Sequence, residues 1–471
     1  MNDHGYKGIP PLAGIASMDD AMKPGLSVEQ CVARLKRYHY AFKRLHHIFT
    51  ARITAEPIYE LKTAFSLHAW LCAEHVQALR TRVAEMREPP LGLDAVPEPA
   101  LEVFFDEILL APTTGELVVG VYDVALPALR EALQRHVDDT NKLTDHPSVR
   151  VCKFAVIECD EMIGFGRRAL KSLDSFAKPQ AAEWVSLLRQ CLRAAGGLSG
   201  AEEKSDRPAQ RRYSTKPYEY DPVPRRDERF IDPYNRGVNA EAFLYDETMP
   251  ENAKVLMMFF KRLREIDVPE MMASIIAQTP GKPWGYYREM SRQLWDEARH
   301  AMMGEVGFTS LGIDWTKIPI TWTWSLNLNT RLKPLERHAV LYFIEQGLMP
   351  KTGKRYEWEV GVASGNALAA AFQDYDWADE VLHSAIGRTW YVQDFENPKE
   401  AIRYGDECWS RVSADYQQWL DQGLTKHENW WPRVYREACA RWGIEPDDRV
   451  SSWHENYATT RADLKEISAS G

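Results

Sequence analysis

One five-residue pattern occurs twice in the C-terminal half of this chain. Asp296-Glu297-Ala298-Arg299-His300 and Asp379-Glu380-Val381-Leu382-His383 both read Asp-Glu-x-x-His, and each is followed by a glycine, Gly304 or Gly387, at the same offset. On a helix, positions three apart share a face, so each pair aims a carboxylate and an imidazole at one point. Two such helices packed antiparallel can hold two metal ions between them. The pattern therefore restricts the chain to helical architectures and points to redox chemistry.

The bulk numbers fit that restriction. With 471 residues, 45% of them hydrophobic, the chain has length for two or three domains with real cores. A net charge of −10 argues against a nucleic-acid-binding surface. The cysteines (Cys31, Cys72, Cys152, Cys159, Cys191, Cys408 and Cys439) form an odd set without Cys-x-x-Cys. They read as reduced, mostly buried thiols of a cytoplasmic protein. The first residues lack the basic-then-apolar plan of a signal peptide, and no run approaches the ~20 apolar residues of a membrane span. Sixteen tryptophans is a high count for this length, and most are expected in the core.

Helical periodicity dominates, and the expected fold class is all-α. Residues 27–50 carry Leu35, Tyr38, Phe42, Leu45 and Ile48 at three- or four-residue steps behind the N-cap candidate Ser27. Further helical stretches are expected at 56–87, 98–112, 116–141, 148–177 and 180–195, which makes 1–195 an N-terminal helical bundle. Residues 196–240 are rich in Gly, Pro, Arg and Tyr and read as an extended connector laid over one of the domains. Helices resume at 250–278, 284–307, 331–348 and 355–394, giving a second bundle over 241–395. Residues 396–471 then supply helices at 398–421 and 428–443 and a tail, with Trp430-Trp431, Trp442 and Trp453 docking them onto the bundle.

A single Glu-x-x-His is weak, because a chain this long yields about one by composition alone. Two in helical context justify a search for two lone upstream glutamates. Glu265 and Glu270 compete for the first. A hairpin turning at Pro280-Gly281 brings Glu265 and Glu297 to the same height, roughly 22–24 Å from the turn, and leaves Glu270 some 8 Å out of level by approximate helix rise. Glu265 is favoured, although Pro269 demands a kink nearby. Glu345 is favoured for the second over Glu336, Glu357 and Glu359, despite the interruptions at Gly347, Pro350 and Gly353.

Four carboxylates and two imidazoles suit iron or manganese and suit Cu(I) or a thiolate-bound cluster poorly. Six ligands on two ions leave positions open for dioxygen and substrate. Asp296 and Asp379 each precede a ligand Glu and point about 100° away, placed to accept the far N–H of a histidine on the facing helix. Arg299 is placed to pair with one of these aspartates.

The stretch from Arg264-Glu265-Ile266-Asp267 through the first motif resembles the ferritin-like superfamily, whose di-iron and di-manganese members use two Glu-x-x-His helices and one Glu from each of two others. Glu345-Gln346-Gly347-Leu348 and the second motif, with Gly387 and Trp390, resemble a bacterial ferritin-like group related to a tRNA hydroxylase. The resemblance covers residues 250–395, about a third of the chain. It implies a four-helix bundle with two Fe ions, or Mn or mixed Mn/Fe, on Glu265, Glu297, His300, Glu345, Glu380 and His383. It also implies an O2-dependent oxidase or monooxygenase with a small organic substrate and an electron donor. Membrane and nucleic acid are not called for, and a homodimer is left open.

Blander readings stand beside this one. Each Glu-x-x-His alone reads as a surface pair. Glu60, His68, Glu74 and His75, with Glu158 to Glu161, suggest a decayed second metal site, against a purely structural bundle. His338 lies seven residues before Glu345, either lining a channel or as an ordinary core histidine. Trp295, Tyr342, Trp377, Trp390 and Tyr391 near the ligands relay electrons or simply pack. An iron-handling ferroxidase, a tRNA-modifying hydroxylase and a non-catalytic scaffold are the rival functions.

Overall fold

In the computed structural model, residues 6–87, 91–173, 178–350, 353–412 and 416–456 are described, and every regular element among them is a helix. None of these helices is long and apolar enough to cross a membrane. The chain divides into two compact units. The first holds the chain up to Phe49 and His68–Glu219; the second holds Thr50–Leu67 and everything from Tyr220 onward.

The long helices of the first part are α1 (Val28–Arg52), α2 (Tyr59–Glu85), α3 (Pro99–Leu109), α4 (Leu126–Asp139), α5 (His146–Ser172) and α6 (Lys178–Ala195). Their cores follow the helical period. On α1, Leu35, Tyr38, Phe42, Leu45 and Ile48 are all buried, one stripe along one face. The expected helix over 116–141 is instead an α turn, a π-helix at Val119–Ala125, and α4. All seven cysteines are free and buried. The connector is extended. Its first half closes the first unit, where the N–H groups of Arg212, Tyr213 and Ser214 all donate to the buried Glu107 carboxylate.

The second unit contains α7 (Glu251–Arg264), α8 (Asp267–Gln278), α9 (Trp284–Ser310), α10 (Thr323–Arg331), α11 (Pro334–Gly347), α12 (Lys354–Ala363), α13 (Ala367–Trp390), α14 (Pro398–Arg411) and α15 (Trp431–Trp442). The single helix expected at 250–278 is thus two. Helix α7 ends at Arg264, and α8 starts afresh with Pro269 at its third position, where no N–H is required of it. The expected helix at 355–394 is also split, with Asn366 capping α13 by accepting from the Ala369 N–H at 3.0 Å.

Helix α9 packs on α7, α8 and α13; α13 packs on α9, α11 and α12; α11 packs on α8 and α14. Gly304 lets α7 touch α9, since a Cβ there would sit 2.2 Å from the Leu263 nitrogen. Gly387 does the same for α11, where a Cβ would meet the Tyr342 ring at 2.3 Å. Each glycine follows its motif histidine by one turn, and each admits the helix that has a lone glutamate at or near its C-terminal end. Trp430 meets Phe260 with ring centroids 4.5 Å apart, and Trp431 donates its indole N–H to the Val450 carbonyl at 3.1 Å.

Candidate metal centre

The structure brings Glu265, Glu297, His300, Glu345, Glu380 and His383 into one pocket between α7, α9, α11 and α13. Two groups of ligand-type atoms form there, each with its atoms within 4.8 Å of one another: Glu265, His300, Asp376 and Glu380, and Glu297, Glu345, Glu380 and His383. Glu380 belongs to both. The two imidazole rings lie 6.0 Å apart, centroid to centroid.

Three of the six nitrogen–oxygen separations fall within the range of donors that share one ion. His300 Nδ1 is 3.3 Å from Glu265 Oε2, 3.7 Å from Glu297 Oε2 and 3.4 Å from Asp376 Oδ1. His383 Nδ1 is 3.2 Å from Glu297 Oε1 and 3.7 Å from both Glu345 Oε1 and Glu380 Oε2. Donors about 2.1 Å from one ion lie roughly 3.0 Å apart in an octahedron and 3.4 Å apart in a tetrahedron. Glu297 directs one oxygen at each imidazole, Oε2 at His300 and Oε1 at His383.

Hydrogen bonding separates the two faces of each imidazole. His300 donates from Nε2 to Asp379 Oδ2 at 3.1 Å, and His383 donates from Nε2 to Asp296 Oδ2 at 3.4 Å. Arg299 ion-pairs with both aspartates, and Arg292 donates to Asp296 at 2.9 Å. The inward atoms are different. Glu265 Oε2, His300 Nδ1, Glu345 Oε2, Glu380 Oε2 and His383 Nδ1 are all buried without a hydrogen bond. Buried polar atoms are rarely left so, and five converging on one pocket mark a place shaped for a cation.

Charge compression shows in the titration of these groups. Burial would lower the His300 pKa, but the Asp379 carboxylate on Nε2 and the Glu265 and Glu297 carboxylates facing Nδ1 outweigh it and raise it to about 10. Burial would raise the Glu265 carboxyl, yet Arg262 and Lys354 hold it at about 2. Burial and the neighbouring Glu380 carboxylate push Glu345 well above the usual range. Burial would also raise Asp296, which hydrogen bonds from His383, Arg299 and Arg292 keep at about 2.

Three residues of the pocket escaped the sequence reading. Asp376, fully buried, stands one turn before Glu380 on the same face of α13. Arg262 ion-pairs with Asp376 and lies 2.9 Å from Glu265 Oε1. Lys354 lies 2.9 Å from Asp376 Oδ2 and 2.8 Å from Glu380 Oε1. The helical offsets of Asp376 from Glu380 and of Arg262 from Glu265 were available signals; Lys354 had none.

Glu270 lies elsewhere. Its carboxylate takes Lys62 at 2.8 Å, Arg226 at 3.2 Å and the Ser325 hydroxyl at 2.6 Å, a buried structural knot. His338 packs between Tyr286 and Tyr391, and burial and the nearby Lys282 charge lower it to about 4. Among the described residues, the candidates for an N-terminal site form no ligand group. His68 pairs with the Tyr122 hydroxyl at 2.7 Å, His75 with Glu158 at 2.6 Å, and Glu60 with Arg229. A third group, Cys31, His136 and Asp145, is bonded within itself. Asp145 accepts from Cys31, His136, Thr140 and Arg82 at 2.9–3.3 Å, and burial beside that carboxylate pushes the thiol up to about 12. Compared with protein-family models, curated proteins and solved structures, the chain matches none.

Proposed function

We propose that this chain is a ferritin-like, non-haem di-iron oxidoreductase, an O2-dependent oxidase or monooxygenase for a small organic substrate. One observation carries the reading: the inward oxygens and Nδ1 atoms of Glu265, His300, Glu345, Glu380 and His383 converge without hydrogen bonds, while Glu297 spans the two imidazoles. The donor set of carboxylates and imidazoles fits iron and also admits manganese.

Bound here, a pair of iron ions would supply electrons and open coordination positions for reducing dioxygen. The chain's own contribution is positional. Asp379 and Asp296 fix each imidazole by its Nε2–H, so that Nδ1 faces inward and its donor strength rises. Arg299 and Arg292 hold those aspartates in turn. Burial of Glu297, His300, Glu345, Glu380 and His383 to 4% exposure or less keeps bulk water off reacting groups.

The test is anaerobic loading with Fe2+, metal analysis, and then oxygen uptake. Two ions per chain are expected, with uptake that depends on added reductant and an organic substrate. Uptake that needs neither would favour a ferroxidase, and fewer than about one ion per chain would defeat a dinuclear reading altogether.

A further inference from the structure

We propose that Lys354 and Arg262 make the two ion positions unequal: the Glu297–Glu345–Glu380–His383 position fills first, and the Glu265–His300–Asp376 position fills only against a resident ammonium. The inference rests on the dinuclear reading and adds an order of occupation to it.

The asymmetry lies in which carboxylates already have a fixed cation. The Lys354 side chain is fully buried, with Nζ 3.0 and 2.9 Å from the two Asp376 oxygens and 2.8 Å from Glu380 Oε1. Arg262, also buried, pairs with Asp376 and Glu265. Glu265, Asp376 and Glu380 therefore share two positive charges. Among the described residues no lysine or arginine pairs with Glu297 or Glu345; their nitrogen partners there are His300, His383 and the Gln293 amide at 3.0 Å from Glu345. A dication entering beside Glu297 and Glu345 meets carboxyl groups that no lysine or arginine occupies. One entering beside Glu265 and Asp376 meets charge already neutralised, and Lys354 has to give up Glu380 Oε1.

The local fold holds the ammonium there. Lys354 opens α12, and its N–H donates to the Leu348 carbonyl at 3.2 Å, one residue beyond the helix that carries Glu345. The same helix sends Glu357 to Lys261 in a second buried pair, so α12 is fastened at both points. A lysine stem is long and flexible enough to swing its head group aside when the second ion arrives.

Titration of the full-length protein with Mn2+, followed by calorimetry and electron paramagnetic resonance, tests this. The first equivalent is expected to give an isolated-ion spectrum, and the second a spin-coupled one. The two dissociation constants should differ at least about 100-fold, since a nearby unit charge acts strongly in a buried site. Lys354→Met and Lys354→Gln should each bring the second constant within about tenfold of the first. Glu345→Gln should remove the tight phase, whereas Glu265→Gln should spare it. Equal affinities in the wild-type protein, or loss of the tight phase in Glu265→Gln, overturn the inference and leave the dinuclear reading standing. So does an unchanged gap in Lys354 variants of wild-type helix content. Should the Lys354 variants not fold, the wild-type gap and the two glutamate variants decide the matter. No Mn2+ binding at all would overturn the dinuclear reading itself.

Discussion

Asp379 Oδ2 receives two donors at once, His300 Nε2 at 3.1 Å and Arg299 at 2.8 Å. In Asp379→Asn the amide keeps the shape but loses the charge that orients the imidazole. Mn2+ affinity is expected to fall about 10- to 100-fold while the helix content stays intact. Glu270 offers the opposite case. Its carboxylate neutralises two buried cations, Lys62 and Arg226. In Glu270→Gln we expect a loss of about 3–5 kcal/mol in urea unfolding, because one partner of a buried ion pair is removed. The metal stoichiometry of that variant should match the wild type. Glu265 and Glu270 are five residues apart; the level argument from the Pro280-Gly281 turn favoured Glu265, which lies beside His300, but it assumed a continuous helix that in fact breaks after Arg264. The motif residues were legible because i and i+3 share a face. Lys354 was not, since its place depends on the turn after α11, where spacing says nothing about direction.

At the scale of the helix, periodicity reports which face is buried and not whether the backbone is continuous. Ile266 is buried between α7 and α8, so the apolar stripe runs through the break that ends α7. Pro269 was the visible sign of that break, overruled by a continuous pattern, and the cap that Asn366 forms on α13 went unread. The break has a use. Glu265 sits where α7 stops, its N–H bonded to the Arg262 carbonyl at 3.0 Å. The close approach at Gly304 then sets how far Glu265 reaches. Gly304→Ala would thrust a methyl against the Leu263 backbone, and we expect it to cost about 1–3 kcal/mol by overpacking. With Glu265 drawn back, bound Mn2+ should drop from two ions towards one, read by metal analysis beside the melting temperature. Gly387→Ala should do less, because it meets a side-chain ring and not backbone.

Across the whole molecule, the acid response follows from histidines that the candidate centre does not use. In the first unit His39, His46 and His68 are buried, and burial lowers each from 6.5 to about 3. Their folded values are depressed, so their contribution is complete above the unfolded pKa and is lost as pH falls towards 3. Each should remove about 1.4 kcal/mol per pH unit below 6.5, once the unfolded chain takes up the proton that the folded one refuses. Hydrogen exchange in α1 and α2 should accelerate between pH 6.5 and 4.5; unchanged protection there would contradict this. The all-helical class was plain in the sequence. The allegiance of residues 50–67 was not, because it depends on pairings such as Lys62 with Glu270 and Tyr59 with Trp315 across hundreds of positions.

That distant pairing sets a schedule for biosynthesis. Lys62 emerges 208 residues ahead of the carboxylate that neutralises it. At ~5–20 residues per second, the tip between α1 and α2 waits roughly 10–40 s on the ribosome for its counterpart. A nascent chain arrested before Glu270 should be cut by protease within residues 50–67, and one arrested well beyond it should be spared.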